Sequence, residues 1–121
     1  MNSDNSKVTI RFSVPVYADA KASLTLEPDD FKLTLVGGTA TLKSTTPSSI
    51  DSSENGKRYQ LGLDVIGIPD GREVLTINPV DNNIYDDAAN PANKVQDNNS
   101  MNLFDKQPPT ITSISLSKAN D

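Results

Sequence analysis

Residues 57–78 read KRYQLGLDVIGIPDGREVLTIN, and this stretch decides the fold. Tyr59, Leu61, Leu63 and Val65 alternate with their neighbours, and Leu75 and Ile77 do the same beyond Pro69-Asp70-Gly71. Alternation with period two puts successive side chains on opposite faces, the pattern of a strand with one buried face rather than of a helix. Pro69 presets its own φ and Gly71 accepts a positive φ, so the interruption reads as a turn.

The pattern spreads outward from there. Val8, Ile10 and Phe12 share one face of a strand predicted over 7–16, and Phe31, Leu33 and Leu35 share one face over 31–36. Gly37-Gly38 is predicted to make a tight hairpin turn into 39–44, with Ala40 and Leu42 inward. Further strands are expected over 57–66, 72–78 and 100–104, with a Ser/Thr/Pro loop over 45–56. The acidic stretch 79–99 reads as one long loop, and loops of that length are usually functional or disordered. Asp105-Lys106-Gln107-Pro108-Pro109 reads as a stiff linker, because a Pro-Pro pair favours extended geometry. Residues 110–117, TITSISLS, then read as one more strand. About seven short strands joined by turns predict an all-β, two-sheet sandwich.

Composition narrows the chemistry. The chain has 121 residues, which suits one domain, and 35% hydrophobic with 5% aromatic residues implies a thin aliphatic core. There is no Cys, His or Trp, which removes disulfides, Cys/His zinc sites and catalysis through an imidazole base. The net charge is -5, with the basic residues scattered, so nucleic acid is a poor partner. No apolar run approaches the ~20 residues of a membrane span, so no insertion is expected. Gly37-Gly38 lacks the following Lys-Ser/Thr of a phosphate loop. Acid pairs exist, yet no aromatic sugar platform accompanies them, and Tyr17, Tyr59 and Tyr85 read as core or edge residues. No enzyme is expected.

Two acidic clusters are candidate metal ligands. Glu27, Asp29 and Asp30 precede the strand at 31–36, and Asp81, Asp86 and Asp87 lie in the long loop with Asn82, Asn83 and Asn90. The strand order puts both loops at the same end of a sandwich. Calcium takes six to eight oxygen ligands of this kind, and it is the one candidate cofactor. No EF-hand spacing is present, and Asp and Asn also serve turns by capping their own backbone.

The segments VTIRFSVPVY, DDFKLTLVGGTATL, YQLGLDVIGIPDGREVLTINPV, IYDDAANPA and NLFDKQPPTITSISL, in this order, resemble the bacterial immunoglobulin-like (Big-type) tandem repeats of large cell-surface and adhesin proteins. IYDDAAN is similar to an Asp-x-Ala-Gly-Asn pattern, although no Gly precedes Asn90. The resemblance implies an immunoglobulin-like Greek-key sandwich, a spacer role in an extracellular stalk on a bacterial surface, and rigidification of the repeat by calcium. A carbohydrate-binding module using Asp29, Asp30 and Asp86 is the main alternative, and a self-assembling fibre subunit is the third reading.

In such arrays a Pro-Pro-Thr junction opens the next repeat with its strand A. Residues 1–106 then form a sandwich lacking its own strand A, and residues 107–121 carry the linker and strand A of a following or circularly permuted repeat. Residues 118–121 and 2–5 read as two copies of one turn. Three dispositions of the tail follow: head-to-tail exchange with a neighbouring copy, closure on its own chain, or no docking. In the exchange, Ile111, Ile114 and Leu116 meet Val8 and Ile10 of the next copy by β-strand addition.

Overall fold

The structure is a computed structural model and describes residues 4–93 and 95–117. Ten strands are present among them: β1 Lys7–Arg11, β2 Val16–Tyr17, β3 Phe31–Val36, β4 Thr41–Leu42, β5 Ile50–Ser53, β6 Arg58–Gly62, β7 Val65–Ile66, β8 Val74–Pro79, β9 Tyr85–Asp86 and β10 Ser100–Asn102. Helical structure is limited to two single 3₁₀ turns, Pro28–Asp30 and Glu54–Gly56. The all-β expectation therefore holds.

Two three-stranded antiparallel sheets, ordered β1-β6-β5 and β10-β8-β3, carry the architecture, and the pairs β2-β9 and β4-β7 stand beside them. Val8, Tyr59 and Leu61 from the first sheet and Phe31, Leu33, Leu75 and Ile77 from the second meet in one buried cluster, giving a sandwich-like body. These are the alternate positions that the pattern marked as inward. Phe12, Phe31 and Tyr59 form its aromatic centre, with Phe12 edge-on to Tyr59 at 6.0 Å. The Tyr59 hydroxyl donates to the Val16 carbonyl at 3.2 Å, so this buried phenol keeps its polar end satisfied.

Pairing registers define the two poles. Lys7 faces Gly62, and Val36 and Asn102 both face Val74, so the head, the 37–40 and 67–73 turns and the exit of β10 lie at one pole. Phe31 faces Pro79 and Arg11 faces Arg58 at the other.

Several expectations are corrected. The strand expected over 7–16 breaks into β1 and β2 around Pro15, which has no N–H to give a ladder. The strand expected over 57–66 likewise divides at Leu63-Asp64, where the partners change from β1 and β5 to β4. Gly37-Gly38 does not close a hairpin: β3 pairs with β8, whereas β4 pairs with β7. The backbone N–H groups of Thr39 and Ala40 go instead to the Glu73 carboxylate, at 2.8 and 3.0 Å. The polar loop expected over 45–56 holds β5, the edge strand beside β6. The long loop holds β9, with a further bridge between Tyr85 and Pro91. Residues 110–117 are not a strand, and Ile111, Ile114 and Leu116 are 83%, 89% and 100% exposed. The turn expected at 118–121, and at 2–3 of its second copy, lies outside the described residues.

Candidate functional site

The lateral seam of the body is open between β1 and β10. Each is the end strand of its sheet among the described residues. A groove of about 350 Å³ runs there, with Val8, Ile10, Phe12, Phe31, Leu75 and Ile77 contributing apolar surface. Residues 96–99 and Met101 form its far rim. Ile10 and Phe12 sit at inward positions yet stay only partly buried, because among the described residues no strand covers this side of β1. The rim is held in place: the Asn99 side chain donates to the Ile77 carbonyl at 2.7 Å, and the Ile77 N–H donates to the Asn99 carbonyl at 3.0 Å.

The exit from β10 is anchored at the pole where β1 begins. Asn5, buried and at φ 60°, donates its amide to the Phe104 carbonyl and accepts the Phe104 N–H, both at 2.9 Å. Its side chain thus copies the two bonds of a strand pair, and Asn tolerates the left-handed backbone that aims it. Beyond this clamp the Lys106 N–H donates to the Pro69 carbonyl at 2.8 Å. The Gln107 amide donates to Thr39 Oγ1 at 2.9 Å and to the Ile68 carbonyl at 3.2 Å. The tail therefore departs from a fixed point.

The acidic clusters are placed at one end, as expected, but their carboxylates do not gather. Among the described residues, no group of three or more Asp or Glu side chains stands close enough to hold a metal ion. Asp30 is buried, accepts the Glu27 N–H at 2.7 Å, and takes the Val80 N–H on its carbonyl at 2.9 Å, joining the two loops. Burial raises its pKa, with the nearby Asp29 and Glu27 charges adding to the effect. Asp86 instead closes its own loop: it accepts the Ala88 and Asn90 N–H groups and the Asn90 side-chain amide. Those bonds, the Asn90 side chain foremost, lower its pKa. Glu27, Asp29, Asp81 and Asp87 are exposed. Tyr17 and Tyr85 face each other across β2 and β9, and Tyr59 is core, so the three tyrosines form no common platform.

Sequence reasoning missed Glu73. Its side chain is fully buried and accepts backbone N–H groups from Thr39, Ala40, Asp70 and Gly71. Burial alone would raise its pKa, yet the donors, with Ala40 the largest, outweigh burial and lower it from 4.5 to about 2. The available signal was weak: a lone acid two residues after a Pro-Asp-Gly turn and facing a Gly-Gly pair.

The chain matches no family model, no curated protein and no solved structure.

Proposed function

We propose that this chain is a structural module, an immunoglobulin-like Greek-key sandwich that serves as a spacer in an extracellular bacterial surface stalk and carries out no chemistry of its own. The observation that carries this reading is the anchored exit: Lys106 and Gln107 are bound to the 67–71 turn region, and a segment with Ile111, Ile114 and Leu116 exposed follows them. A module built to be joined end to end needs a fixed point of departure and a short stiff linker, and Pro108-Pro109 supplies the stiffness. The sheet orders β1-β6-β5 and β10-β8-β3 support the Greek-key assignment, with β1 in the place of the second strand and its outer neighbour to be supplied. The sequence resemblance supports the surface-repeat setting.

The test is solution scattering from two copies fused in tandem through the native 105–121 junction. A spacer gives a rod of about twice the single-chain length. A compact folded-back pair would sink the reading.

A further inference from the structure

We propose that the groove between β1 and β10 is the seat for residues 110–117 of a second copy of this chain. The incoming segment lies antiparallel along β1, with Leu116, Ile114 and Thr112 across from Val8, Ile10 and Phe12. This rests on the reading of the chain as a structural module joined to copies of itself.

The two halves of the contact are on the same molecule. Among the described residues no strand pairs with the outer side of β1 over residues 8–11, and Val8 and Ile10 of β1, with Phe12 just beyond it, face the apolar floor there. The donor segment TITSISLS has no charged residue and alternates at Thr112, Ile114 and Leu116, so it supplies three side chains on one face. Ile114 and Leu116 are 89% and 100% exposed, while the groove they match is unfilled by protein. Strand addition satisfies both: main-chain bonds run along the edge and alternate side chains fill the floor.

The geometry excludes the chain's own tail from this seat in the antiparallel sense. With Thr112 across from Phe12, Thr110 starts such a strand past Phe12, at the pole opposite Gln107. From Gln107 to Thr110 the chain reaches ~10 Å, whereas the five residues of β1 span ~17 Å. A neighbouring copy meets no such limit. Because the donor and acceptor surfaces are different, the contact is heterologous and propagates from copy to copy.

The test is the mass of the full chain by light scattering over micromolar to millimolar concentration, with amide hydrogen exchange on the same samples. The mass is expected to climb in steps of 13.0 kDa, with protection appearing together at 8–12 and 110–117. Ile114→Asp with Leu116→Asp, both at exposed positions, raises the concentration for half-association at least tenfold without changing the thermal melt of the single chain. Met101→Arg, on the groove rim, does the same. A synthetic peptide of residues 107–117 in excess returns the assemblies to single chains. A chain that stays monomeric at millimolar concentration overturns the proposal. So does protection of 110–117 with no rise in mass, which marks docking on its own chain, or association that the tail variant leaves intact. Any of these leaves the spacer reading to stand or fall on the tandem scattering.

Discussion

Glu73 shows how much one residue can decide at a turn. Four backbone donors, that of Ala40 buried and the others partly so, converge on its carboxylate, and they hold the 37–40 and 69–71 turns against each other. Glu73→Ala leaves those donors unpaired and is expected to cost about 2–4 kcal/mol in urea unfolding. Gly38 is tied to the same site, because a Cβ there would meet the Glu73 side chain. The pH dependence follows from the lowered pKa. The folded group holds its proton less tightly than the unfolded one, so its contribution is fully present above pH 4.5 and fades as pH falls toward about 2. At most about 3 kcal/mol is lost this way. Asp30 has the opposite sign, since its pKa is raised and acid relieves its burial. Glu73→Gln is expected to flatten the acid limb of a melting-temperature profile, and an unchanged limb would refute the assignment. Ala89 is the second residue of note. It sits at φ 65° inside the Asp86–Asn90 loop. Ala89→Gly removes left-handed strain and is expected to add about 0.5–1 kcal/mol of stability. Ala88→Gly, with no positive φ to relieve, should give no gain.

At the scale of elements, what was legible depended on whether a strand carries its own alternation. β3, β6 and β8 were read with the correct inward faces, because Phe31, Leu33, Tyr59, Leu61, Leu75 and Ile77 alternate without a break. β5 was not, because IDSS offers one apolar residue, Ile50, and lies on a sheet edge. The strand pairing at β4 was misread for a different reason. A Gly-Gly pair between two alternating runs looks like a hairpin, and only the distant Glu73 redirects the chain to β7. The acidic loops were correctly placed at one end, but the direction of each carboxylate depends on local backbone bonds that composition does not encode. β6 provides an element-level prediction. It ends at Gly62, where a Cβ would strike Ser48 and Ser49 of the strap that crosses it. The Ser48 N–H donates to the Gly62 carbonyl and the Gly62 N–H donates to the Ser49 carbonyl, so the strap cannot simply step aside. Gly62→Ala is expected to cost about 2 kcal/mol or more by denaturant melt, although its φ is not in the left-handed region.

For the whole molecule, the clamp between Asn5 and Phe104 has a topological consequence. It brings together two points 99 residues apart in sequence and closes the body into a ring of strands. A ring has no required starting strand. Joining residue 104 to residue 5 through a short flexible bridge, and opening the chain between Glu54 and Asn55, yields the same ring cut elsewhere. That opening falls in an exposed turn where both residues hold positive φ, so cutting it also releases strain. The rearranged chain is expected to unfold cooperatively within about 2 kcal/mol of the parent, as calorimetry can establish. The order in which this sequence presents its strands is then one reading of a cyclic object, and the seam beside β1 is where that cycle stands open to a neighbour.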